Sequence, residues 1–371
     1  MNDLVSAVEA TPIPGPAWLF HFLLVFTFLL HALFMNLTLG GTILAAVGQF
    51  LSGGRADDHR AVLARRLMGV NTYGISFTIT TAIAPLLFVQ VLYQQYFYSA
   101  TILIGGMWFA LILMLMAGYY AAYLYKFKSV PSGGAGAKLW LTVAAVLFLA
   151  IAMVHVAVNL IHSQPEKWSD LAASPWSILG DPAYFVRLFH FVLAAIAFSG
   201  LVVAWWAVRQ AAAGRDVELN SKIAGFAWKW ALVTTFLQVA DGFVLLFVLP
   251  RRVLIGLMTG GAATLVPFGL AVLLGLGLLI MLARVPNPTG KGGLVGGVLG
   301  AMTLTVAIMA ITRHQVRELY LEPVASQFTI ASAPQWGNFA LFAVLLVAGL
   351  ATVAWMVRAV FDHRAAGAEA A

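Results

Sequence analysis

The sequence contains no cysteine. That absence excludes disulfides, iron-sulfur clusters, thiolate zinc sites and covalent CxxCH haem attachment, so any metal or cofactor must be held by histidine, methionine, carboxylates or backbone. Charge is nearly as scarce. Only 9% of the 371 residues are Asp, Glu, Lys or Arg, where soluble chains carry about a quarter. The stretch MNDLVSAVEATPIPGP at the start has acids but no Lys or Arg, so it lacks the basic beginning of a cleavable signal peptide. No repeat at solenoid spacing is present, and no low-complexity segment beyond the terminal AAGAEAA.

What the chain has instead is apolar length: 62% hydrophobic residues and a mean hydropathy of +0.93. A spanning helix needs ~20 mainly apolar residues, which leaves room for about nine of them and for no soluble catalytic domain. The runs lie at 17–49, 70–93, 99–125, 139–162, 183–208, 223–249, 262–283, 293–312 and 338–361. The expected fold is therefore all-α, a polytopic membrane bundle forming a single domain over 1–371.

Basic residues set its orientation. With residue 1 outside, the inner loops and tail hold Arg55, Arg60, Arg65, Arg66, Lys126, Lys128, Lys138, Arg209, Arg215, Lys222, Arg284, Lys291, Arg358 and Arg364. The outer side holds only Lys167, Arg251, Arg252, Arg313 and Arg317, with Arg187 just inside a helix. This predicts an outer N-terminus and an inner C-terminus. The net charge of +7 thus reads as a topology signal and not as a nucleic-acid footprint.

Histidines carry the chemical signal. His59 and His363 fall in inner loops beside arginines and read as solvated. His21, His31, His155, His162, His190 and His314 lie within or at the ends of spans, where an ionisable group is by default functional. Counting about 1.5 Å per residue puts all six in the outer half, with His21, His162 and His314 shallow, His155 and His190 roughly 10 Å deeper and His31 near the middle. His155 and His162, seven apart, share one helix face, a spacing that serves two stacked macrocycles. A compact tetrahedral metal site needs ligands at one depth; haem b, held by axial imidazoles from two helices, suits a spread over two layers. Arg187, Arg251, Arg252, Arg313 and Arg317 are the candidates for its propionates. The bland alternative for any one of these histidines is an interhelical hydrogen bond. From depth, the pairs are His155 or His31 with His190, and His162 with His21 or His314.

Two segments go further. HALFMNLTLGG, beginning at His31, and DPAYFVRLFHF, containing His190, resemble the first-helix and fifth-helix haem-ligand segments of subunit I of the cytochrome bd quinol oxidases. The resemblance implies nine spans, an outer N-terminus and haems near the outer surface. The departures are equally informative. The third-helix region ILIGGMWFALILMLMAGYY lacks the family's glutamates, AIMAITRHQVREL lacks its eighth-helix glutamate ligand, FGLAVLLGLGLL lacks its methionine, and the quinol loop shrinks to LPRRVLIGLMTGG. Dioxygen reduction is expected to be lost, with histidines replacing the missing ligands.

The expectation is a multi-pass b-type cytochrome of the bacterial cytoplasmic membrane, a quinone-linked oxidoreductase or an electron-transfer subunit of one. Two or three bis-histidine haems would link a membrane quinone to an outer redox protein, a c-type cytochrome, alongside companion membrane subunits. Asp241, the carboxylate well inside a span, is the candidate proton acceptor. The competing readings are a bd-type terminal oxidase and a proton- or metal-coupled transporter.

Overall fold

A computed structural model describes residues 11–129, 135–328 and 330–369. The expected outer position of residue 1 and the side chains of His363 and Arg364 lie outside the described residues. Among the described residues nine helices are long and apolar enough to cross a membrane, and each coincides with one of the apolar runs. The cause is the backbone: in lipid every N–H and C=O must be satisfied within its own segment, and a helix does that.

The helices in chain order are α1 (Ala17–Leu51), α2 (His59–Leu92), α3 (Gln94–Leu103), α4 (Gly105–Leu124), α5 (Ala135–Ser163), α6 (Trp168–Ala173), α7 (Pro182–Ala212), α8 (Val217–Val248), α9 (Arg251–Thr259), α10 (Ala262–Ala283), α11 (Gly292–Leu321) and α12 (Trp336–Glu369). Starts are marked by capping acids. Asp58 accepts from the Arg60 amide at 2.9 Å, and Asp181 accepts from the Ala183 amide at 2.8 Å, with Pro182 in the first turn.

The most buried helix is α7, which packs between α1 and α8 and is crossed by α11. Backbones approach closely there. A Cβ on Gly40 of α1 would lie 2.0 Å from the carbonyl oxygen of Ala195 of α7, so only glycine permits this crossing. At the end of the bundle where α1 begins, hereafter the upper end, residues 11–15 run beside 331–335. Ile13 N–H donates to Ala331 O at 2.8 Å, and Ala333 N–H donates to Ile13 O at 2.9 Å. That clasp holds the start of α12, whose spanning part buries none of its residues against the other described helices.

Three departures from the linear reading bear on function. The run at 99–125 is broken at Ile104, and its first part is the separate helix α3, with Tyr96, Phe97 and Ala100 buried. The connection LPRRVLIGLMTGG contains α9, whose Val253 and Leu257 are buried and whose apolar side meets Leu319 and Tyr320. Finally, α11 continues to Leu321, so Arg313, His314 and Arg317 stand on a helix and not in an outer loop. Val316, Tyr320 and Leu321 supply the helical apolar spacing that carries it onward.

Candidate functional site

The three deeper histidines share one arrangement. His155 Nδ1 lies 2.9 Å from Ile151 O, and His31 Nδ1 lies 3.1 Å from Thr78 O. A carbonyl only accepts, so in each ring Nδ1 carries the proton and Nε2 keeps its lone pair. His190 Nδ1 faces Asp241 Oδ2 at 3.2 Å, which orients the ring in the same sense. Residues on three helices thus present a metal-ready Nε2, with the other nitrogen anchored as metal-ligating histidines usually are. The Trp108 ring meets His155 edge-on at 6.0 Å. His190 lines a cavity to which α1 contributes Phe28, Ala32 and Met35, and no hydrogen bond or ring contact joins it to His31 or His155 among the described residues.

That cavity has a volume of about 270 Å³ and lies between α1, α7, α8, α10 and α11. Its walls are mostly apolar, with Phe191, Met302 and Met309 among them, and its polar lining includes His190, Arg187, Arg313 and Arg317. The arginines are underemployed. Arg187 donates to Asn159 Oδ1 at 3.3 Å and stacks on Tyr320, but its Nη2 is buried without a partner. Arg313 covers the Phe28 ring at 4.3 Å and Arg317 the Tyr93 ring at 5.0 Å, and the Nε of each is buried and unpartnered. Among the described residues none of the three has a carboxylate within ion-pair distance. Buried cationic donors facing an apolar cavity call for an anionic occupant. Arg251 and Arg252 are elsewhere, exposed on α9, with Arg252 donating to Tyr320 O at 3.1 Å.

At the upper end the shallow histidines meet tyrosines. His162 is 2% exposed and sits between the rings of Tyr93 at 5.3 Å and Tyr96 at 6.1 Å, its Nε2 unpartnered. Tyr93 also stands edge-on to His21 at 6.2 Å, so the expected pairing of His162 with His21 is interrupted by a phenol. Burial pushes both phenols above their ordinary range, Tyr96 to about 12, so both stay protonated and donate. Tyr93 donates to Glu318 Oε1, and Tyr96 to Val324 O at 3.2 Å. His21 and His314 are in direct contact, Nδ1 to Nε2 at 3.3 Å.

Several of these partners were not singled out from the sequence. Glu318 carries a signal, being four residues after His314 and hence on the same helix face. Met35 and Met309 join Met302 at the cavity, but nothing in a chain this apolar distinguishes them. Tyr93 is brought to the histidines only by the junction of α2 and α3.

No protein-family model matches the sequence, and no curated protein is detectably similar to it. The fold has a solved counterpart: the bd oxidase from Geobacillus thermodenitrificans superposes with a TM-score of 0.72, over 92% of this chain and 98% of that one. The fold is bd-oxidase-like. At 14% identity that likeness concerns the arrangement of helices alone. It agrees with an all-α multi-pass membrane protein with the nine helices already counted.

Proposed function

We propose that this chain is a membrane b-type cytochrome subunit that passes electrons between a quinone and a redox partner on its upper, outward face. The observation that carries the reading is the shared state of His31, His155 and His190: each Nδ1 is committed to a protein oxygen and each Nε2 is left for iron. The residues fit haem b without covalent attachment. His190 would hold one group in the apolar cavity together with a thioether of its wall, from Met35, Met302 or Met309, and Arg187, Arg313 and Arg317 would supply the cations that its propionates need. His31 and His155, from α1 and α5, would hold a second. When bound, haem iron takes up and releases one electron at a time. Asp241 holds the Nδ1 proton of His190 and so fixes the ring's tautomer. In this reading the carboxylate expected to accept a proton is also the partner of His190. Arg251 and Arg252, exposed on α9, fit the docking of an acidic partner such as a c-type cytochrome better than a propionate.

A terminal oxidase is the competing reading, favoured by the bd-oxidase-like fold. The purified chain should give a pyridine haemochrome of b type, with a Soret band that carbon monoxide leaves unchanged after reduction. A carbon monoxide shift would favour the oxidase, and absence of any Soret band would sink both. His190→Ala should remove one b-type signal, and His155→Ala the other.

A further inference from the structure

His21, His314 and Glu318 are unused by that reading, and their geometry asks for something smaller than a porphyrin. Two nitrogens bound to one ion at ~2.1 Å lie ~3.0 Å apart at a right angle, ~3.4 Å at a tetrahedral angle and ~4.2 Å if opposite one another. The observed separation of His21 Nδ1 and His314 Nε2 is 3.3 Å. The two rings therefore cannot flank an iron from opposite faces of a haem, but they match adjacent ligands of a single ion. Glu318, one turn beyond His314, brings Oε1 to 4.0 Å from the same Nε2, and the three ligand atoms all lie within 4.8 Å of one another. Its side chain is half exposed, free to move the ~1 Å that coordination requires.

We propose that His21 Nδ1, His314 Nε2 and a Glu318 carboxylate oxygen bind one divalent first-row transition-metal ion at the upper end of the bundle. Two imidazoles and a carboxylate suit Zn²⁺, Fe²⁺ or Mn²⁺ and reject Ca²⁺ and Mg²⁺, which take oxygen ligands. The surroundings fit this role. Tyr93 donates to Glu318 Oε1 and orients the carboxylate from outside, as partners of metal ligands do. The ligands come from α1 and α11, so the ion would tie the first helix to the last one in the body of the bundle. Arg313 and Arg317 oppose a cation, and the Glu318 carboxylate supplies the negative charge that offsets them, while the arginines stack on Phe28 and Tyr93. The site does not depend on the haem assignment, since it shares no ligand with His31, His155 or His190.

The test uses the full chain purified in detergent with its native cofactors, stripped by a chelator and titrated with Zn²⁺ against a chromophoric competitor. One ion per chain is expected, with affinity falling at least tenfold in His21→Gln and in Glu318→Gln. Glu322→Gln, an exposed acid just past the end of α11, should bind like the parent. Haem content should be unchanged in all three. Equal binding in parent and Glu318→Gln, or no stoichiometric ion in the parent, would overturn the site. Loss of a b-type signal in His21→Gln would overturn it too, by making His21 a haem ligand. Should His21→Gln aggregate, Glu318→Gln decides alone, because that side chain is half exposed and the amide oxygen can still accept from Tyr93. A parent without haem that still binds one Zn²⁺ would sink the cytochrome reading and support this one.

Discussion

At the scale of single residues, the pattern of proton placement matters more than the presence of histidine. Asp241 should tune His190: a carboxylate on Nδ1–H makes the ring a stronger donor and favours ferric iron. Asp241→Asn, which keeps an acceptor but removes the charge, should retain the haem and shift its midpoint potential upward in a redox titration. Asp241→Ala should instead weaken retention by roughly 10–100-fold, read as haem lost on gel filtration. If both variants titrate like the parent, the pair has no role in orienting a ligand. Asp58 offers a second test. Arg60 at 2.8 Å holds its carboxyl well below the usual carboxylate range. Because the folded value is the depressed one, its contribution is complete above the ordinary carboxylate pKa and fades only as pH falls below that value. Asp58→Ala should thus lower the thermal midpoint in detergent at pH 7, by the ~1 kcal/mol a helix cap contributes. The difference from the parent should narrow in strong acid.

At the scale of helices, the crossing of α1 and α7 positions everything deeper. Gly40 meets the Ala195 carbonyl, so a methyl there has nowhere to go without parting the helices. His190 is five residues from Ala195 and His31 nine from Gly40, and both would move. Gly40→Ala should cost at least the ~1–3 kcal/mol of an overpacked core and reduce haem content, whereas Gly69→Ala, with nothing within 4 Å, should do neither. Equal haem occupancy in both variants would show that this crossing does not set the sites. The helix boundaries tell a related story. Periodicity and hydropathy located nine apolar helices, yet the break at Ile104 and the extension of α11 to Leu321 escaped them. Both depend on neighbours: α3 is held by burial of Tyr96 and Phe97, and the end of α11 by α9.

At the scale of the whole molecule, α12 stands apart. It is tied to the bundle by the clasp of residues 11–15 on 331–335, and its spanning part buries nothing. Truncation after Gly337 should leave the haem spectrum and the Zn²⁺ stoichiometry intact, whereas loss of either would give the helix a structural role that its packing does not show. The orientation inferred from Lys and Arg predicts that green fluorescent protein fused to the C-terminus fluoresces in intact cells, because it folds on the inner side.

Composition alone determined that this is a bundle of spanning helices without thiolate chemistry, because hydrocarbon demands long apolar helices and cysteine is absent. It also singled out the six membrane histidines, since ionisable groups at such depth are seldom idle. How they group was decided by tertiary structure. Each ring's direction depends on how its helix is rotated and crossed, so His31 bonded to Thr78 of α2, His190 found Asp241 from α8, and His21 met His314 across almost the whole chain. Those contacts are set by packing between residues far apart in sequence, and no local pattern encodes them.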